Sequence, residues 1–313
     1  FVSSCEVNLG PEVSTMTLAD WVGQVERQLV NAELFFGHGT DSAFDEAAWL
    51  VMSAAGIDPD AEPVDWQQAL SDAQQSAVKQ LAERRIETRK PLAYLVKQAW
   101  FAGHEFYIDE RAIIPRSHLG EWIPDRFEPW LRRTPVKTVL DLCTGSGCIA
   151  VAVALAFPEA EVDATDISTA ALEVAAINIE QHALGQRIRL LQGDLFHAIA
   201  EAVRYDLIIC NPPYVSDQSM ASLPPEHCFE PRLALAGGRD GLDFVHRVLT
   251  EAHRHLKKTG RLFVEAGSAA AVEKTWPNVP FTWLTALTGE SAVLTLTAAE
   301  LDGYGEYIVR PEW

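Results

Sequence analysis

The residues best placed to do chemistry stand in one run. Asn211-Pro212-Pro213-Tyr214 directly follows Tyr205-Asp206-Leu207-Ile208-Ile209-Cys210. That short, β-branched apolar run predicts a buried strand. Proline lacks a backbone N–H and fixes its own φ, so neither strand nor helix continues through the pair. The expected product is a rigid loop at the carboxyl end of a strand, where open α/β sheets place their ligands. The loop offers a planar amide (Asn211), a bare proline carbonyl (Pro212) and an aromatic face (Tyr214). Together they can grip a planar group carrying N–H donors. A proline-stiffened turn after a core strand accounts for the same four residues.

A second stretch, Val139-Leu140-Asp141-Leu142-Cys143-Thr144-Gly145-Ser146-Gly147, follows a strand pattern and opens a helix. Gly145 and Gly147 let backbone turn tightly and approach a ligand. A dinucleotide loop would read G-x-G-x-x-G, whereas the third place here is Ala150, a residue sometimes allowed there. No Lys-Ser/Thr pair follows, which disfavours a nucleoside triphosphate. Asp166 closes the next strand, where a carboxylate can accept both hydroxyls of a ribose. It can also cap the following helix, a role that Ser168 fills equally well. Gly193-Asp194-Leu195-Phe196 closes a third strand, and Asp194 there either accepts from an adenine amino group or sits in a surface turn. All four stretches fall at successive strand ends on one sheet edge, which is hard to obtain independently.

The elements that must position these residues are legible from periodicity. Apolar residues at helical spacing predict helices over 17–36, 45–55 and 71–89, with Asp41 or Ser42 capping the second. Two apolar runs flank Asp109-Glu110-Arg111, one ending in Phe106-Tyr107-Ile108 and the other Ala112-Ile113-Ile114, and predict a hairpin around that polar turn. Residues 117–133 read as helical with a break at Pro124. Beyond Pro135 the pattern alternates, with strands expected at 136–142, 161–166, 187–193, 205–210 and 260–266, and helices at 148–157, 168–184 and 240–257. Such alternation predicts a parallel sheet covered on both faces. Two strand-like runs, 281–287 and 292–297, meet around Gly289-Glu290 and predict an antiparallel edge. The expected architecture is a helical domain (1–98), a linking hairpin (99–116) and an α/β domain (117–313).

Composition narrows the function classes. The chain has 313 residues, 48% of them hydrophobic and 22% charged, an ordinary globular balance. No apolar run approaches about 18 residues, so no membrane span is expected. Phe1 to Gly10 lack the basic start and apolar stretch of a secretory signal, and the chain opens on Phe1, so its natural start is expected upstream. The formal net charge is −19, spread over both halves. Proteins that live on nucleic-acid phosphates show basic patches. Acidity instead favours a basic protein partner or a small substrate, or serves solubility. The five cysteines, at 5, 143, 148, 210 and 228, have no zinc-like spacing and fit a reducing cytoplasm.

At the Asp141–Gly147 loop, Asp166, Asp194-Leu195 and Asn211-Pro212-Pro213-Tyr214 the chain resembles a known family. It is similar to the class I S-adenosylmethionine-dependent methyltransferases, specifically the protein-glutamine methyltransferases of the HemK type. Phe101-x-Gly103-x-Glu105-Phe106, Ile114-Pro115-Arg116, Glu230-Pro231-x-Leu233-Ala234-Leu235, Gly238 and Asp240-Gly241-Leu242 carry the resemblance over nearly the whole chain from Leu18. It implies S-adenosyl-L-methionine as cofactor, held by Cys143, Thr144, Gly145, Ser146, Gly147, Asp166, Asp194, Leu195 and Asn211. It implies a substrate amide gripped by Asn211, Pro212, Pro213 and Tyr214, and no metal. One branch of the family modifies the Gly-Gly-Gln glutamine of peptide release factors, the other a glutamine of the third protein of the large ribosomal subunit. Cys143 stands where the release-factor branch usually has Gly. Gly37-His38-Gly39-Thr40-Asp41, Ala99-Trp100-Phe101, Pro115-Arg116-Ser117 with Glu121, and Phe281-Thr282-Trp283-Leu284 resemble the ribosomal branch. The resemblance thus implies a basic ribosomal protein as partner, without stable nucleic-acid binding, and a cytoplasmic location.

An amide nitrogen is a poor nucleophile because its lone pair is delocalised. Asn211 Oδ1 and the Pro212 carbonyl can each accept one amide N–H and aim the lone pair, with Tyr214 packed on the amide plane. Positioning of this kind contributes roughly 7–11 kcal/mol in favourable cases. Two other classes use the same residues. An adenine methyltransferase would hold a flipped base in this loop, since Asn-Pro-Pro-Tyr also occurs there. A non-catalytic module would keep the pocket as a vestige.

Overall fold

The computed structural model describes residues 16–58, 63–132, 134–287, 289 and 291–309. Phe1–Gly10 with Cys5, and also Arg133 and Glu290, lie outside them. The chain forms two compact units, Phe1–Leu95 and Val96–Trp313.

The first unit is helical. α1 (Leu18–Asn31) starts in a capping box, where Thr17 and Asp20 satisfy each other's backbone N–H. It buries Leu18, Trp21, Val22, Val25 and Leu29, one stripe at helical spacing. The expected continuation to Phe36 fails. Glu33 turns left-handed (φ 50°), and the Arg89 guanidinium donates to the carbonyls of Ala32 (3.3 Å) and Glu33 (2.9 Å), satisfying the open end. Ser42 rather than Asp41 caps α2 (Ala43–Ala55), which stops at left-handed Gly56. α3 (Asp72–Thr88) is capped by Ser71 and Gln74, and α4 (Leu92–Val96) closes the unit. Arg85 of α3, fully buried, donates through Nε to Glu46 of α2 at 2.7 Å. Breaking one side of such a pair leaves an uncompensated charge in the core.

The second unit opens with a hairpin, but not where the polar turn predicted it. β1 (Gln98–Phe101) pairs with β2 (His104–Tyr107) around Ala102-Gly103, both at positive φ (49° and 79°). A two-residue turn with both φ positive matches the twist of the flanking strands. Asp109-Glu110-Arg111 forms a separate turn. The Asp109 carboxylate accepts from Arg111 N at 3.1 Å and from its guanidinium, so the segment closes on itself. Ala112–Ile114 consequently form no strand. Among the described residues of the 117–133 stretch only α5 (Leu119–Trp122) is α-helical, and turns follow it past Pro124.

The sheet then runs through β3 (Thr138–Leu142), α6 (Cys148–Ala156), β4 (Glu161–Asp166), α7 (Thr169–Gln181), β5 (Ile188–Gln192) and β6 (Tyr205–Cys210). After α8 (Asp217–Met220) come α9 (Asp243–Glu251), β7 (Leu256–Glu265), α10 (Ala269–Thr275), β8 (Thr282–Thr285), β9 (Ser291–Thr297) and α11 (Ala298–Tyr304). The helix expected over 240–257 is cut short because the chain re-enters the sheet at Leu256, which pairs with Tyr205. Helices α8, α10 and α11 are additional to the elements expected from the sequence. Strand order is β5-β4-β3-β6-β7-β9-β8, parallel except for β9, which is antiparallel to β7 and β8. The expected antiparallel edge is therefore present.

Alternation along the strands feeds two cores, one on each face. Val139, Leu207 and Ile209 pack with α6, whereas Leu140, Ile208 and Cys210 pack with Val245 and Val248 of α9. β3 and β6 lie side by side and parallel, and the order of strands reverses there: β4 and β5 are added on one side of β3, β6 and β7 on the other. The crevice outside their carboxyl ends is where this topology places ligands.

Candidate active site

The loop after β3 is folded by its own polar atoms. Cys143, Gly145 and Gly147 all take left-handed φ, at 59°, 55° and 78°. That conformation costs an L-residue roughly 1–2 kcal/mol, and at Cys143 the cost is borne by a side chain. Thr144 N donates to Thr165 O at 2.9 Å, and Thr144 Oγ1 donates to Asp141 Oδ2 at 2.6 Å. Burial pushes the Asp141 carboxyl up to about 7, against the pull of Thr144. Gly147 must be glycine because a β-carbon would lie 3.0 Å from Ala175 Cβ and 3.2 Å from Ala175 Cα. Helix α7 thus presses directly on the loop.

Asn178 of α7 completes the support. It is fully buried, and its Nδ2 donates to Ser146 O (2.8 Å) and Tyr107 O (3.0 Å) while Oδ1 accepts from Tyr107 N (2.7 Å). One side chain therefore ties the hairpin to the glycine loop.

Asp166 Oδ2 accepts from Gly145 N at 2.9 Å and Oδ1 from Ser168 N at 2.8 Å. Each carboxylate oxygen has a further lone pair. Burial raises the Asp166 pKa, and the backbone N–H donors of Ser168 and Gly145 oppose that rise. Ser168 caps α7, as the sequence allowed. Asp194, after β5, pairs through Oδ2 with Arg247 of α9 at 2.9 Å. Leu195 beside it is buried and left-handed (φ 49°).

After β6, Asn211 places its Oδ1 in a buried position with no hydrogen-bond partner among the described residues. Pro212 and Pro213 are buried. The Tyr214 hydroxyl donates to Glu265 Oε1 at 3.1 Å, at the end of β7. Burial and the facing carboxylate push the Tyr214 pKa up, and burial raises that of Glu265. Glu265 Oε2 also accepts from Ser117 Oγ and from His118 N (3.1 Å). Next to it, Arg116 forms a bidentate pair with Glu230, at 2.5 and 2.7 Å.

A cavity of about 240 Å³ joins these stretches. Of the residues singled out from the sequence, Cys143, Gly145, Asp166, Asp194, Leu195, Asn211 and Pro213 line it. Thr144, Ser146, Gly147, Pro212 and Tyr214 do not; the first three shape the loop from behind. Sequence reasoning missed the wall formed by Arg111, Ala112 and Ile113, and the one formed by Leu233, Phe244 and Arg247. It also missed Asn178 and Glu265. Both were detectable as polar residues in apolar settings. Asn178 falls on the inward stripe Ala171, Val174, Ala175 and Ile179, and Glu265 ends the run Leu262-Phe263-Val264.

Known proteins resemble this chain in sequence. Residues 129–224 match the methyltransferase small domain, and residues 29–96 match the PrmC N-terminal domain. The ribosomal protein uL3 glutamine methyltransferase of Burkholderia pseudomallei is 44% identical over 298 residues, covering 91% of this chain and 95% of the relative. The protein of that name from Bordetella pertussis is 42% identical, covering 91% and 96%. The chain belongs to the ribosomal protein uL3 glutamine methyltransferase family. It is therefore a methyltransferase, and its methyl donor is S-adenosyl-L-methionine. Among solved structures, the hMettl16 catalytic domain in complex with MAT2A 3′UTR hairpin 6 is 18% identical, with a TM-score of 0.48, covering 72% of this chain and 81% of that one.

The cavity suits that donor. It has a carboxylate with spare acceptor positions (Asp166), apolar surfaces for a flat ring (Ile167, Leu195, Phe244), and a glycine that brings backbone to its edge (Gly145). Among the described residues no helix is long and apolar enough to cross a membrane.

Proposed function

We propose that this chain transfers a methyl group from S-adenosyl-L-methionine to the side-chain amide nitrogen of a glutamine in ribosomal protein uL3. The observation that carries the reading is Asn211. Its Oδ1 is buried beside the cavity and has no partner among the described residues. A buried acceptor left open costs about 1–3 kcal/mol, and an N–H donor bound in the adjoining cavity would remove that cost. A primary amide is a planar group with two N–H donors, and Asn211 Oδ1 with the Pro212 carbonyl offers two acceptors.

In this reading, backbone from Cys143 to Gly147 faces the methionine part of the donor. Asp166 accepts from the ribose hydroxyls, and Asp194 with Leu195 borders the adenine. Asn211 stands between donor and substrate. When bound, the donor supplies an electrophilic methyl group on a sulfonium. The residues of this chain supply orientation: two accepted N–H bonds hold the amide so that its lone pair points at the transferring carbon. A fixed geometry of this kind replaces activation by a strong base. After transfer the nitrogen carries one proton too many. That proton lies in a hydrogen bond to Asn211 Oδ1 or the Pro212 carbonyl and leaves to water.

The helical unit, residues 1–95, recognises the protein substrate, and the second unit carries the chemistry. A net charge of −19 suits a basic, RNA-binding substrate met in the cytoplasm. The test is incubation with methyl-labelled donor and, separately, purified uL3, a peptide release factor and adenine-containing DNA. Label on a glutamine of uL3 is expected. Label on the release factor alone would move the substrate to that class, and label on DNA would replace the reading with base methylation.

A further inference from the structure

Tyr214 is held at both its backbone and its hydroxyl. Val215 N donates to Leu235 O (2.9 Å) and Gly237 N to Val215 O (2.8 Å), pinning the chain just beyond it. A β-carbon on Gly237 would lie 2.6 Å from Tyr214 Cα, and one on Gly267 would lie 2.8 Å from ring atom Cδ2. Neighbouring backbone therefore closes on the ring. The remaining freedom is rotation of the ring toward or away from the amide site, and the hydroxyl contact with Glu265 removes it. Glu265 is only 2% exposed, so this contact is made out of bulk water. Its other oxygen is set by Ser117 Oγ and His118 N, two donors from a separate segment. The carboxylate is thus fixed before it fixes the tyrosine.

We propose that Glu265 is a positioning residue for methyl transfer. It anchors the Tyr214 hydroxyl, and through the ring it keeps the Asn211-Pro212-Pro213 loop in the geometry that grips the substrate amide. This rests on the amide-methylation reading above. Glu265 does not line the cavity. Its influence must pass through Tyr214, which makes the proposal separable from a general structural role.

The test is a double-mutant cycle on the full chain with Tyr214→Phe, Glu265→Ala and Glu265→Gln, using uL3 and labelled donor. Tyr214→Phe keeps the ring and removes only the anchored hydroxyl. It should lower kcat about 10-fold, the scale of one buried hydrogen bond to a charged acceptor, with donor affinity by calorimetry unchanged. Glu265→Ala should lower kcat at least as far. The Tyr214→Phe/Glu265→Ala double variant should be no slower than Glu265→Ala, because the two remove one contact. Glu265→Gln keeps one acceptor, for the hydroxyl, but sets an NH₂ against the Ser117 and His118 donors, so it should recover only part of the activity lost in Glu265→Ala. Tyr214→Phe with wild-type kcat, or a double variant whose losses multiply, would overturn the proposal while leaving the reading intact. A wild-type enzyme that labels no uL3 would sink the reading and this proposal with it.

Discussion

Asn178 offers the sharpest test of how the site is built. Replacing it by Ala removes three hydrogen bonds, two to Tyr107 and one to Ser146. At about 1 kcal/mol net for each neutral bond, the loss is about 3 kcal/mol. For a unit of the size of Val96–Trp313 that lowers Tm by roughly 6–12 °C. Asn178→Asp should be worse than Asn178→Ala. It keeps the acceptor for Tyr107 N, loses both donors, and faces a fully buried charge toward the carbonyls of Ser146 and Tyr107. Because Ser146 lies in the glycine loop, the Ala variant should also bind S-adenosylhomocysteine more weakly, measured by calorimetry below the melting range. Thermal unfolding followed by circular dichroism supplies the first number. A Tm within about 2 °C of wild type, together with unchanged ligand affinity, would refute the idea that this side chain holds the loop.

Asn211→Ala should lower single-turnover methylation roughly 30- to 1,000-fold, the range expected for losing about 2–4 kcal/mol of directed hydrogen bonding. Its Tm should hardly move, because Oδ1 has no partner among the described residues to lose; near-normal turnover would end the catalytic assignment. Asp166→Ala should weaken donor binding at least about 10-fold, since two ribose hydroxyls lose a charged acceptor, and unchanged affinity would show that the ribose lies elsewhere. Asp141 should make stability depend on pH. With its carboxyl pushed up to about 7, the folded state keeps a proton that the unfolded state releases near 4, so this group's contribution falls as pH rises from about 4 to about 7 and is level above. Asp141→Asn should flatten the Tm profile across that window, and superimposable profiles would contradict the assignment. A fragment starting at Val96 should bind S-adenosylhomocysteine yet transfer no methyl group to uL3; full activity on the protein would remove the helical unit from substrate recognition.

Much of this site was legible before any fold was known. Strand runs such as Leu207-Ile208-Ile209 carry their own periodicity, and glycine and proline mark where each must stop. The loop after β3, Asp166, Asp194 and the Asn211–Tyr214 run therefore fall at strand ends by local rules alone. Alternation of strands and helices makes the sheet parallel, and a parallel sheet puts those ends on one edge. The ligand-binding face follows from the one-dimensional pattern for that reason.

What the pattern does not contain is which distant groups meet. The hairpin turn sits at Ala102-Gly103 because those residues adopt two positive φ values, whereas the more polar Asp109–Arg111 segment closes on its own side chains. The Arg111–Ile113 wall and the Arg247 partner of Asp194 reach the cavity from segments 32 and 53 residues away from Cys143 and Asp194 in the chain. Tyr214 offered an aromatic face in the sequence, and only tertiary contact fixes its hydroxyl on Glu265, 51 residues on. Such pairings depend on how β7 lies beside β6 and how the segment before α5 returns to the sheet edge. Local propensity has no term for a contact between residues so far apart. The sequence by itself thus determined the sheet and the strand-end loops that carry the site. Tertiary packing decided which buried polar atoms are satisfied by the protein and that Asn211 Oδ1 is left open beside the cavity.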